Sequence, residues 1–446
     1  MAKKKQAELT IEEKLQNALV PKEEQPYKIP NNWCWTRWGN LSDKIQYGVN
    51  TPATNEGNAR LVRISDIQNN KIIWDKVPYC NIDDKLIEQY LIRENDILFA
   101  RTGGTVGKSV MAIGVIPNAV FAGYLIRSNY SKKLNGKYLK YFMESNLYWT
   151  QLKIGTTATA QPNCNGKTLA KMIFPLSPID EQQRIVNRIE SLFTKLDKAK
   201  ELIENTLVQF EQNKMAILHK AFTGELTEKW RKENNIDEGT FFHKIKLKNI
   251  IKLISGRDVS VNLCNDKSVG IPYILGASNI RDNKFYVERW IENPVVVSEK
   301  NDILLSVKGT IGKLYLQKEE KINISRQIMA LRALNELNTH YLYYFLLKEC
   351  ERLKFEGNGL IPGISRKDIL GLDIVVPTIE EQQEIVNILD KLLVKYSKIK
   401  DLEKQLEQIE LLKKAILAKA FRGELGTNNP DEESAEVLLK EILAEK

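Results

Sequence analysis

Histidine and cysteine are scarce, and that scarcity narrows the chemistry. Only three histidines occur among 446 residues, His219, His243 and His340, none near another. The five cysteines, Cys34, Cys80, Cys164, Cys264 and Cys350, lie far apart and form no C-x-x-C pair. Neither a disulfide framework nor a zinc site is expected, and no metal ligand is assigned. No run of 18 or more apolar residues is present, which excludes a membrane-spanning helix. The N-terminal MAKKKQAELTIEEK has basic residues but no apolar stretch behind them. A secretory signal is therefore not expected, and the reading is a cytoplasmic protein. What is present is an ordinary globular composition, 43% hydrophobic and 28% charged, with a net charge of +9. That excess is compatible with a polyanionic partner without demonstrating one.

The glycine-rich stretch ARTGGTVGKSV (Ala100 to Val110) invites a nucleotide-binding reading and then refuses it. A phosphate-cradling loop needs glycine five positions before Gly107, where Thr102 stands. After Ser109 the chain continues VMAIGVIPNAVF, which is β-like where a phosphate-binding helix should begin. A second copy, GTIGKLY, places Leu314 where a magnesium-ligating Ser or Thr would be required.

That second copy belongs to a duplication running through the whole chain. PIDEQQRIVNRIESLFTKL from Pro178 returns as TIEEQQEIVNILDKLLVKY from Thr378, 200 positions later. MAILHKAFTGEL (Met215 to Leu226) returns as KAILAKAFRGEL (Lys414 to Leu425). Apolar residues at Ile185, Ile189, Leu192, Leu196, Ala199, Ile203 and Phe210 step by threes and fours. The second copy runs Ile385, Leu389, Leu392, Tyr396, Ile399, Leu402, Leu406, Ile409, Leu412, Ile416. These are long helices with one heptad-like seam. Thr378 with Glu381 reads as a capping box, and Gly224 and Gly423 read as left-handed C-caps. Each helix should span roughly 65 Å, and an antiparallel pairing of the two is expected. Before them, ISDI (Ile64 to Ile67) answers ASNI (Ala277 to Ile280), and NDIL occurs at Asn95 and Asn301. GTVGK (Gly104 to Lys108) answers GTIGK (Gly309 to Lys313), and Arg127 answers Arg332. Short β-rich runs between Gly, Asn and Pro, with one or two helices, predict an α+β domain. The organisation is an arm (1–29), a globular domain (30–177), a long helix (178–223) and a linker (224–242). A second domain (243–377), a second long helix (378–423) and a helical tail (424–446) complete it.

The P-x-x-E-Q-Q-x-I-V helix starts and A-F-x-G-E-L helix ends resemble the DNA specificity subunit of type I restriction-modification systems. So do the entry LQNALVPKEEQPYKIPNNWCWTRWGNL (Leu15 to Leu41) and the tail DEESAEVLLKEILAEK (Asp431 to Lys446). The resemblance implies two pseudo-symmetric target-recognition domains separated by two long antiparallel helices in a coiled coil. Each domain would read one half of a bipartite, asymmetric site in double-stranded DNA. The helices would set the spacer and dock two methyltransferase subunits, joined by restriction/translocase subunits in the nuclease. S-adenosylmethionine, ATP and magnesium would belong to those partners, leaving this chain with no cofactor and no catalytic residue. Consistently, no Pro-Pro dipeptide exists to form the D/N-P-P-aromatic motif of an adenine methyltransferase. From the residues alone, a duplicated coiled-coil adaptor binding proteins rather than DNA remains the other reading.

The Gly-Thr-x-Gly-Lys loops admit two readings, a tight turn with solvated lysine or a close backbone approach to DNA. Base reading calls for Arg or Lys at guanine and Asn or Gln at adenine. In the first domain the DNA-binding candidates are Arg101, Thr102, Thr105, Lys108, Gln161, Asn163, Asn165 and Lys167. In the second they are Lys308, Thr310, Lys313, Arg326, Gln327, Ser365, Arg366 and Lys367. Glu181, Gln182, Gln183, Glu381, Gln382 and Gln383, recurring at the helix starts, are read as contacts to a partner subunit or to the neighbouring recognition domain.

Overall fold

A computed structural model describes residues 9–68, 70–102, 105–156, 164–236, 243–281, 284–356, 363–394 and 399–446. The chain forms two compact units, Met1–Leu202 with Lys404–Lys446, and Ile203–Glu403. No helix among the described residues is long and apolar enough to cross a membrane.

In the first unit a four-stranded antiparallel sheet runs in the order Ser42–Tyr47, Leu125–Tyr130, Ile97–Ala100, Ser109–Met111. The second unit repeats it as Ile251–Ser255, Ile328–Ala333, Ile303–Ser306, Leu314–Leu316. The central strands are continuous apolar runs, Ile97 to Ala100 and Ile303 to Leu305, and are fully buried. Covered on both faces, such strands lose the polar alternation of a half-exposed strand. A second sheet in each unit contains a parallel pair, Ala59–Val62 with Ala119–Phe121 and Ile271–Ile274 with Lys321–Ile324. The α+β class and the duplication are both present.

Both NDIL motifs have the same local cause. Asn95 and Asn301 take left-handed backbone at φ 68° and 71°, a conformation that asparagine tolerates. The aspartate that follows turns back to accept from the backbone N–H of Arg93 (2.9 Å) and of Glu299 (2.8 Å). Asp96 then pairs with Arg127 and Asp302 with Arg332. The two arginines are not structural equivalents, however. Arg127 lies opposite Leu98, whereas Leu304, the counterpart of Leu98, lies opposite Ala330. Two residues along a strand return to the same face, so both arginines reach the same carboxylate.

The first long helix runs from Ile179 to Thr223, 45 residues, with its first 24 in one unit and the remainder in the other. The second is described as Ile379–Val394 and Ile399–Ala420. Gly224 and Gly423 end them in left-handed conformation, as the sequence predicts. The capping box at Thr378 is only half formed: its hydroxyl accepts from Glu381 N, but the Glu381 carboxylate is engaged elsewhere. Within the first unit Lys200 bonds Glu410 (3.0 Å) and Asp197 bonds Lys413, partners whose numbers run oppositely, so the helices there are antiparallel. The seam is half-buried at Leu192, Leu196, Ala199, Leu402 and Leu406. Leu412, expected on it, is exposed, and Lys413 takes its place with its ammonium 5.3 Å from the Phe193 ring centre. Tyr396 lies outside the described residues.

Candidate nucleic-acid interface

The glycine loop is the turn of a β-hairpin. Gly107 N–H bonds Ala100 O (2.8 Å) and Ala100 N–H bonds Lys108 O (2.8 Å), and the chain leaves as strand Ser109–Met111. The second loop, one residue shorter, closes with the same pair of bonds, Gly312 N–H to Ser306 O (2.8 Å) and Ser306 N–H to Lys313 O (2.9 Å). A strand after the loop supplies none of the helical amides that hold a phosphate, which disposes of the nucleotide reading. Gly107 and Gly312 stand at φ 83° and 77°, so each turn requires glycine.

Beside each hairpin lies the distal loop. Cys164 N–H donates to Arg101 O (2.9 Å), and Ile364 N–H donates to Val307 O (3.0 Å). The candidates from two remote stretches are thereby brought together in each unit. Thr105, Lys167, Lys308, Thr310, Arg326, Gln327, Arg366 and Lys367 are exposed there, and Arg101, Thr102 and Lys108 are half-buried. Arg326 pairs with Asp258 at 2.7 Å. Gln161 and Asn163 lie outside the described residues.

Three candidates do other work. The Lys313 ammonium turns inward to the carbonyls of Ile280 (3.1 Å) and Ala277 (3.5 Å), holding the ASNI turn. Asn165 and Ser365 cap the short helices that follow them, accepting from Thr168 N–H (2.9 Å) and Asp368 N–H (3.2 Å). Tyr47 and Tyr124, not singled out from the sequence, are also exposed beside the first hairpin, Tyr124 by 66%. Their signal was adjacency to Gly48 and Gly123 in a stretch flanked by apolar strand residues.

The helix-start residues form one network built twice. Gln182 Oε1 accepts from Asn135 N–H (3.0 Å) while its amide donates to Ser177 O (2.8 Å). Gln382 does the same with Asn338 N–H (2.8 Å) and Pro377 O (2.9 Å). Gln183 and Gln383 accept from the side chains of Asn135 and Asn338 and donate to Asn187 and Asn387. Asn135 caps the Gly136–Phe142 helix, so the long helix clamps the start of a domain helix. Behind it Tyr138 and Tyr341 donate to Pro175 O and Val375 O. Burial pushes both hydroxyls well above the usual phenol range and keeps them donors. Glu181 accepts from Trp33 Nε1 (2.6 Å) and Asn428 Nδ2 (2.9 Å). Glu381 accepts from Thr227 Oγ1 and Arg231 Nη1, both at 2.6 Å. Glu181, Gln182, Glu381 and Gln382 are thus fully buried, contacting the recognition domain of their own unit or the segment after a long helix. Their polar atoms are engaged within this chain, on the neighbouring-domain side of the expectation. Gln183 and Gln383 alone of the six are exposed.

The two faces belong to one duplicated fold, and comparison with known proteins gives its family. Residues 49–207 and 242–410 match the type I restriction modification DNA specificity domain, and the chain belongs to that family. It is 26% identical over 423 residues to the type I restriction enzyme EcoKI specificity subunit of Escherichia coli K12, spanning 86% of this chain and 88% of that one. It is 25% identical over 424 residues to the putative MjaX specificity subunit of Methanocaldococcus jannaschii, spanning 89% and 95%. The HsdS subunit from Thermoanaerobacter tengcongensis shares the fold at a TM-score of 0.55 and 22% identity, over 90% of this chain and 99% of that one. A structure from work on complex assembly and conformational transition of the type I R-M system matches at 0.72 and 22%, over 90% and 100%. The family is a specificity family, concerned with DNA sequence recognition, and not a catalytic one.

Proposed function

We propose that this chain is the specificity subunit of a cytoplasmic type I restriction-modification complex, each unit reading one half of a bipartite, asymmetric site in duplex DNA. The observation that carries this reading is the duplication itself. One scaffold, with the same hairpin, distal loop and clamp, presents different side chains on its two faces, as two unlike half-sites require. The long helices set the spacer between half-sites and dock two adenine methyltransferase subunits, with restriction/translocase subunits joining for cleavage. Gln183 and Gln383, exposed beside the clamps, lie on the surface offered to those partners. S-adenosylmethionine, ATP and magnesium act in the partners.

Deleting the chain from its host should abolish N6-methyladenine at one bipartite motif, read by methylation-sensitive sequencing of the genome. Methylation that persists at every motif would refute the proposal. A second test concerns the ruler. Inserting seven helical residues after Leu202 and seven after Glu403 keeps the seam in register and adds ~10 Å. The spacer should lengthen by about three base pairs, with both half-sites intact. Altered half-sites with an unaltered spacer would remove the spacer role from the helices.

A further inference from the structure

The two faces carry an arginine at one place, delivered from different positions of the chain. Backbone bonds fix the equivalences. Gly48 N–H bonds Leu125 O and Gly256 N–H bonds Ile328 O, both at 3.1 Å. Arg101 N–H bonds Tyr124 O (3.0 Å), and Val307 N–H bonds Gln327 O (2.8 Å). With the distal loops bonded to Arg101 and Val307, Tyr47 therefore matches Ser255, Arg101 matches Val307, and Gly166 matches Arg366.

In the first unit the Arg101 guanidinium lies over the Tyr47 ring, 4.7 Å from its centre. Gly166 N–H donates to the Tyr47 hydroxyl at 2.9 Å. In the second unit Val307 stands where Arg101 would be, buried and apolar. Arg366 replaces it from the other side, donating through Nη1 to Ser255 Oγ (2.8 Å) and Leu253 O (3.2 Å). The exchange is sterically coupled. A Cβ on Gly166 would meet Ile45 Cγ2 at 3.0 Å and the Tyr47 hydroxyl at 3.3 Å, so Ile45 and Tyr47 together crowd a side chain there.

Folding alone does not call for this pattern. Valine satisfies the strand end in one unit and glycine the helix start in the other, yet each face retains one guanidinium seated on residue 47 or its counterpart 255. Arg101 keeps its seat although, among the described residues, its buried Nε–H meets no acceptor, which works against stability. The planar fork with paired donors is the group that matches guanine O6 and N7 in the major groove.

We infer that Arg101 and Arg366 are the specificity-determining arginines of the two half-sites, each reading a guanine, with Tyr47 and Ser255 as the residues that position them. This inference rests on the DNA-recognition reading above. The test uses the full chain assembled with its methyltransferase partner and methylation-motif sequencing. Arg366→Gln should relax one guanine position of one half-site, reducing discrimination there by about 10- to 100-fold. The other half-site should be unchanged, and Arg101→Gln should give the mirror result. Arg366→Lys and Arg101→Lys, which keep charge but lose the fork, should relax the same positions. The triple variant Tyr47→Ser, Arg101→Val, Gly166→Arg, which transplants the second unit's arrangement, should restore the guanine lost in Arg101→Gln.

A uniform loss of binding at all sequences, with a salt slope shallower by about one, would identify phosphate contacts and overturn the inference. Unaltered specificity in both Gln variants would overturn it as well. A wild-type complex that methylates no bipartite motif would instead refute the DNA-recognition reading, so the two failures are distinct.

Discussion

Glu381→Gln is expected to destabilise the second unit by about 3–5 kcal/mol in urea or thermal unfolding of the whole chain. The matching substitution in the first unit, Glu181→Gln, should cost only about 1–2 kcal/mol. The two glutamates occupy the same place in the repeat and are equally buried, but their partners differ. Glu381 holds Arg231 at 2.6 Å, with side chains 1% and 5% exposed, and the same guanidinium also bonds Gly224 O. An amide at 381 leaves a buried cation without its counter-charge, and the desolvation of Arg231 is then uncompensated. Among the described residues the donors to Glu181 are all neutral, Trp33 Nε1, Asn428 Nδ2 and Thr427 Oγ1. A glutamine oxygen can still accept from the indole, so the loss is that of charge assistance in one or two bonds. The pair variant Arg231→Met with Glu381→Leu should recover most of the loss, because removing both charges together leaves neither stranded. Equal costs at 181 and 381 would show that the ion pair is not what distinguishes the two copies.

That contrast marks where sequence reading stops. The recurrence of Glu-Gln-Gln at the helix starts was plain, and so were the seam, the glycine caps and the NDIL turns. Each depends on local chemistry: left-handed backbone, a short side chain folding back, or a period of three and four. Burial of Glu181 and Gln182 was not legible, because a polar triplet at the start of a charged helix looks like solvated surface. Only the structure brings Asn135, Trp33 and Asn428 to it from positions 47 or more residues away. The arginines show a second limit. Arg127 and Arg332 align without a gap from the glycine loops, yet the strands place them two residues apart. Arg101 and Arg366 share no aligned position, yet reach the same spot on their faces. Identity of place in a β-rich domain is set by strand register, which a gapless comparison does not carry. On the candidate faces two remote loops come together through the Cys164–Arg101 and Ile364–Val307 backbone bonds. Which of their polar groups also serve caps and turns was not legible, because the partners of Asn165, Ser365 and Lys313 are set by the fold of their own unit.

Gly256→Ala should cost about 2–3 kcal/mol, the upper range for an overpacked site, and Gly48→Ala should behave alike. Neither glycine is needed for left-handed backbone, since neither has positive φ. The requirement is space. A Cβ on Gly256 would lie 2.1 Å from Ser325 O and 2.5 Å from Ile324 O, and on Gly48 2.2 Å from Phe121 O and 2.3 Å from Ala122 O. All four are main-chain atoms of the second sheet's parallel strand or the residue after it, and cannot rotate away as a side-chain tip could. The chain at this point passes from one sheet to the other: Gly256 N–H bonds Ile328 O, and Arg257 N–H bonds Ile324 O at 3.0 Å. Val49 N–H bonds Phe121 O at 2.9 Å in the first unit. Forcing these backbones apart breaks the corner and displaces Ser255 and Ser325, which border the proposed recognition face. Thermal unfolding gives the stability loss, and methylation-motif sequencing should show blurring confined to one half-site. The control is Gly114→Ala. Gly114 stands at φ 84° with nothing within 4 Å, so alanine there meets only the left-handed penalty of about 1–2 kcal/mol. If Gly256→Ala cost less than Gly114→Ala, close approach would not be why glycine sits at the sheet corner.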